Sequence, residues 1–195
     1  MAAVDLYWLP LGAGGWFVRR NGRAYEAVAA RLGRRPACDL YHAALRVETA
    51  EDAFVIEQAP IRDDRGREVR GVVAEGPVGA RWAGRFRLFR YEIRRWRGGR
   101  IPDAEEAVGS PLRVSCDPLQ ADRLLALVPR VPTPVWGRDE LRAGEMWNSN
   151  SVIAWLLASS GIDVERIEPP EGGRAPGWQA GVRVAGRGGV ASRAA

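Results

Sequence analysis

Trp147-Asn148-Ser149-Asn150-Ser151-Val152-Ile153-Ala154-Trp155-Leu156-Leu157 sets four small polar residues directly against an apolar run of helical character. The first N–H groups of a helix have no partner within it, and Ser or Asn oxygens satisfy them, so the cluster predicts a helix start here. The run from Val152 is apolar on nearly every side, which makes the helix a central one, covered all round. Two readings of the polar cluster stay open. It caps the helix, or it forms a site where hydroxyls, amides and free N–H groups stabilise developing negative charge at the positive end of the dipole.

A hydroxyl that attacks needs a base, and the only imidazole lies far upstream. His42 sits in Leu40-Tyr41-His42-Ala43-Ala44-Leu45-Arg46-Val47, whose alternation predicts a strand. Phe54-Val55-Ile56-Glu57-Gln58 comes after a polar turn, so the two predict a hairpin. The constellation is then Ser149 as nucleophile and His42 as base, with Glu57 or Gln58 on the paired strand orienting the ring. Asn148 and the helix N–H groups would hold the oxyanion, and Trp147, Asn150, Ser151, Gln58 and Tyr41 would line the ligand. A lone histidine on a strand is as readily a packing residue, and that alternative stays beside the first.

In these two motifs and their order the chain resembles the circularly permuted papain-fold enzymes, such as the PPPDE peptidases and the relatives of lecithin:retinol acyltransferase. In those families a histidine strand comes first and an Asn-Cys pair opens a helix near the C-terminus. Asn148-Ser149 occupies the place of that pair. Much of the remaining chain also resembles an uncharacterised actinobacterial family. The resemblance implies a permuted papain-like fold and a hydrolase or acyltransferase acting on an amide, ester or thioester. The departure is Ser149 where the family has cysteine. A thiol ionises readily beside an imidazolium, whereas a serine hydroxyl stays protonated and needs base assistance. The rival expectation is therefore a non-catalytic peptide- or anion-binding module with a degenerate site.

Outward from these motifs, short strands are expected at residues 69–74 and 85–93, joined to the hairpin as an antiparallel meander because the linkers are too short for helical crossovers. Helix formers run from Ala24 to Leu32 after an Asn21-Gly22 turn, and Trp16-Phe17-Val18 reads as extended. Gly12, Gly14 and Gly15 resemble a phosphate loop only superficially. Pro102-Asp103 opens a short helical piece, and Asp117-Pro118 supplies an N-cap and an N1 proline for another helix. Beyond Gly161 the chain reads as loop. The expectation is one α+β domain over residues 1–185, an antiparallel sheet with helices packed on one face, and a flexible tail at 186–195.

All 29 basic residues of the 195 are arginine, and the net charge is +5. With so much Ala, Gly, Val and Pro, that exclusivity fits a GC-rich coding bias, which weakens a nucleic-acid reading. The one dense basic run, Arg81 to Arg100, is interleaved with Trp82, Phe86, Phe89, Tyr91 and Trp96, and it reads either as a solvated strand face or as an anionic-ligand surface such as single-stranded nucleic acid. Cys38 and Cys116 have no metal-ligand spacing, so no metal or cofactor is expected. The N-terminus lacks a leader pattern and no segment reaches membrane-span length, which predicts a cytoplasmic protein acting on a peptide, lipid or small molecule.

Overall fold

The computed structural model describes residues 1–11, 26–61 and 69–193. The phosphate-loop-like glycines, Trp16-Phe17-Val18 and the Asn21-Gly22 turn lie outside the described residues. Six strands form one antiparallel open sheet: β1 (Ala3–Pro10), β2 (Tyr41–Glu48), β3 (Ala53–Pro60), β4 (Val72–Pro77), β5 (Arg90–Arg97) and β6 (Leu112–Ser115), in the order β4-β5-β3-β2-β1-β6. The helices are α1 (Pro118–Leu127), α2 (Ser149–Ser159) and α3 (Trp178–Arg193), and residues 26–32 are also helical. The fold class is α+β, as the segregation of strands and helices along the chain implies.

Strand alternation assigns each side chain to a face. Val4, Leu6 and Trp8 of β1, Tyr41, Ala43, Leu45 and Val47 of β2, Ile56 of β3 and Tyr91 and Ile93 of β5 share one buried cluster with Leu124 of α1, Val152, Ile153 and Leu156 of α2 and Trp178 of α3. This is the helix face. Four of the α2 side chains, Val152, Ile153, Leu156 and Leu157, are fully buried, and each contributes about 1.5–3 kcal/mol of transfer free energy. On the opposite face Leu9, Ala44, Val55 and Ile101 form a small second cluster with Tyr7, Trp96 and Ala107 packed on it. The rest of that face is ionic: Arg94 bonds both Glu57 and Glu92, Arg70 reaches Glu92, and Arg113 on β6 pairs with Asp5 on β1.

The structure corrects four expectations. The meander holds only for β1-β2-β3; the next neighbour of β3 is β5, which places β4 at the sheet edge. Residues 85–89 are not strand, because two single 3-10 turns, Trp82–Arg85 and Arg87–Phe89, precede β5. The strand expected at 69–74 runs instead over Val72–Pro77. The loop expected beyond Gly161 ends at Trp178, where α3 begins and runs to Arg193. That last miss has a packing cause. A Cβ on Gly181 would lie 2.2 Å from the carbonyl oxygen of Ser151, so the glycine that lowers helix propensity is what lets α3 lie against α2.

Candidate functional site

The start of α2 is a closed hydrogen-bonded knot. The Asn148 carboxamide oxygen accepts from Asn150 N (2.9 Å) and Ser151 N (3.3 Å), while Ser151 Oγ accepts from Asn148 N (3.1 Å), which completes a reciprocal capping box. Ser151 Oγ donates in turn to Gly177 O at 2.7 Å. Asn148 Nδ2 and Asn150 Nδ2 both donate to Pro176 O, and Asn150 Nδ2 also reaches Tyr41 O at 3.0 Å. Gly177, at φ 85°, could not carry a side chain here, since a Cβ would sit 2.5 Å from Asn148 Oδ1. The bonds that Asn148, Asn150 and Ser151 make thus cap α2 and tie it to β2 and to the turn that enters α3, while the buried Asn150 Oδ1 has no partner among the described residues.

Ser149 makes no such bond through its side chain. Its Oγ has no hydrogen-bond partner among the described residues, although the residue is buried, at 7% exposure. It lines neither of the two surface grooves described below. Trp147, expected at a ligand surface, is 1% exposed and belongs to the core. Tyr41 and Gln58 point to the same helix face; Tyr41 is core, and the buried Gln58 carboxamide has no partner within the described residues.

His42 faces the other way. Its cross-strand neighbour on β1 is Leu9, and both alternate with helix-face residues, Trp8 opposite Ala43. The sheet therefore stands between the imidazole and the start of α2, and the Ser149–His42 pair that the sequence suggests is not assembled. Burial pushes the His42 pKa from 6.5 down to about 4, with the Asp103 carboxylate acting in the opposite direction. Such an imidazole is neutral and a weak base. Glu57 does share the face of His42, but its carboxylate is held by Arg94. Asn148 Nδ2, the donor an oxyanion would need, is already spent on Pro176 O, and its oxygen is in the cap.

Two grooves open at the surface. One of about 540 Å³ lies on the His42 side, lined by Tyr7, Arg46, Val55, Ile101, Asp103 and Glu106 among others. The second, about 350 Å³, lies beside the start of α2 and includes Glu145, Met146, Arg174 and Pro176. Cys38 is no better placed for chemistry, because burial and its hydrogen bond to Glu26 push the thiol pKa up. Among the described residues no group of three or more His, Cys, Asp or Glu is placed to hold a metal, and no helix is long and apolar enough to cross a membrane.

The feature that periodicity did not expose is on the surface. Trp82 is 68% exposed, Phe86 53%, Leu88 83% and Phe89 45%, all in the two 3-10 turns between β4 and β5 or, for Phe86, at the junction of the two. The arginines of the surrounding run are largely committed elsewhere: Arg81 to Glu140, Arg90 to Glu75, Arg94 to Glu57 and Glu92, and Arg97 to Asp52. A cue was available in Arg81-Trp82-Ala83-Gly84-Arg85-Phe86-Arg87-Leu88-Phe89, where the alternation is real but Gly84 interrupts any strand. No protein-family model, curated protein or solved structure matches the chain.

Proposed function

We propose that the chain is a non-catalytic binding module, and that its docking element is the pair of turns at residues 82–89. The observation that carries this is the exposure of four large apolar side chains within eight residues, a density that a soluble surface rarely tolerates without a partner. Trp and Arg are also the residues that most often anchor recognition surfaces. The turns are held in place from below and from both ends. Ala83 is buried beneath them, Phe86 N and Phe89 N close the successive turns onto Ala83 O and Phe86 O, and Val78 N bonds Phe89 O.

A permuted papain-like kinship belongs to this proposal as scaffold only. What supports it is the antiparallel sheet backed by a central helix that opens with an Asn-Ser pair. What separates the chain from the hydrolase reading is the face on which His42 stands. The test has two arms. A serine-reactive fluorophosphonate is expected to leave the folded wild type unlabelled. A photo-reactive residue at position 88, introduced in the native cells, is expected to give a discrete adduct that the same residue at Leu119, an exposed apolar position on α1, does not. Labelling lost in Ser149→Ala, with no adduct at position 88, would reverse the assignment.

A further inference from the structure

The stretch Arg81-Trp82-Ala83-Gly84-Arg85-Phe86-Arg87-Leu88-Phe89-Arg90-Tyr91 contains four arginines and no carboxylate. The two at its ends are neutralised from outside, Arg81 by a two-point contact with Glu140 (2.8 and 2.9 Å) and Arg90 by Glu75 at 3.3 Å. Arg85, between the aromatics, is exposed and donates to a carbonyl, Trp82 O at 3.2 Å. Its charge therefore stays in the surface beside Trp82 and Phe86. The four apolar side chains are not the walls of a groove. They come from two consecutive single turns and the residue between them, with half or more of their surface in solvent, save Phe89 at 45%.

An exposed apolar row with arginine between its members fits a layer that is soft, apolar within and anionic at its face. Trp and Phe favour the headgroup boundary, and guanidinium groups bond phosphate in a fork geometry while their stems lie along apolar surface. A protein partner would instead have to supply a matching pocket for each side chain. Resting on the reading of 82–89 as the docking element, we infer that its occupant is an anionic bilayer surface. Trp82, Phe86, Leu88 and Phe89 enter the headgroup layer, and Arg85 meets a lipid phosphate.

Co-sedimentation of the full chain with vesicles of equal parts phosphatidylcholine and phosphatidylglycerol tests this. The wild type is expected to partition onto these vesicles, to leave pure phosphatidylcholine vesicles largely unbound, and to weaken as salt is added. Trp82→Ser with Leu88→Ser is expected to lower the partition by more than about tenfold, and Arg85→Gln by about fivefold. Leu119→Ser serves as the exposed apolar control and leaves binding unchanged. These side chains are exposed, so the variants keep the wild-type circular dichroism, which shows that loss of binding is not loss of fold. Failure of the wild type to bind either vesicle, or binding that the double variant retains, overturns the inference. A wild type that ignores vesicles but still forms a protein adduct at position 88 removes the bilayer and keeps the docking element; absence of that adduct removes the element itself.

Discussion

Replacing each serine at the start of α2 in turn separates a cap from a catalytic residue. Ser151 is fully buried, and its hydroxyl joins Asn148 N to Gly177 O. Ser151→Ala removes the capping-box return bond, which is worth about 1 kcal/mol. It also takes from the Gly177 carbonyl the shorter of its two bonds, leaving the one from Gly181 N at 3.3 Å, at a further cost of about 0.5–1.5 kcal/mol. The sum, about 1.5–2.5 kcal/mol, corresponds to a fall in Tm of about 3–10 °C for a chain of this size. Ser149→Ala removes a hydroxyl with no partner among the described residues at the first helical position, where alanine is well tolerated, so its cost stays within about 0.5 kcal/mol. Urea titrations followed by tryptophan fluorescence, together with thermal melts, measure both. Equal destabilisation by the two variants, or a Ser151→Ala that unfolds like the wild type, would refute the account of this helix start.

Two further outcomes concern the other face. The folded-state pKa of His42, about 4, lies below its unfolded value of 6.5, so on acidification the unfolded chain takes up the proton first. The stability carried by the neutral imidazole is complete above pH 6.5 and is lost as pH falls towards 4, by at most about 3 kcal/mol. His42→Gln is expected to flatten the difference between urea midpoints taken near neutral pH and near pH 5; an unchanged difference would rule this out. Arg94→Met leaves Glu57 and Glu92 without their shared cation on a buried surface, with an expected loss of about 3–5 kcal/mol in the same titration. A cost under about 1 kcal/mol would mean that the carboxylates find other partners.

Local rules were legible wherever the chain itself supplied both halves of an interaction. Asp117-Pro118 marked the start of α1, and the Asp117 side chain does accept from Leu119 N. The hairpin of β2 and β3 could be read from its alternation, and the helix after Asn148 from its polar start. Failures came where the deciding partner is distant. β1 is flanked by β2 and by β6 from beyond residue 110, which is why it is buried along nearly its whole length. α3 is glycine-bearing and convincing only once α2 is beside it. The candidate site failed for a sharper reason. Alternation states that His42 and Ala43 point to opposite faces, but only the packing of α2 on Ala43 shows which face is which. Glu57 and Gln58 split across the sheet in the same manner. The arginine run hid its surface because its ion-pair partners, Asp52, Glu57, Glu75 and Glu140, lie on other elements.

The placement of His42 makes the molecule easy to interrogate. The chain has one histidine, so proton and nitrogen spectra of the imidazole contain a single ring system free of overlap. That ring lies on the side of the sheet away from the helices, beside the 98–109 segment that brings in Asp103. Any event confined to that segment or to the groove next to it shifts one isolated resonance, while events at the helix face leave it still. A titrant can therefore be assigned to a side of the sheet before anything else is known about it.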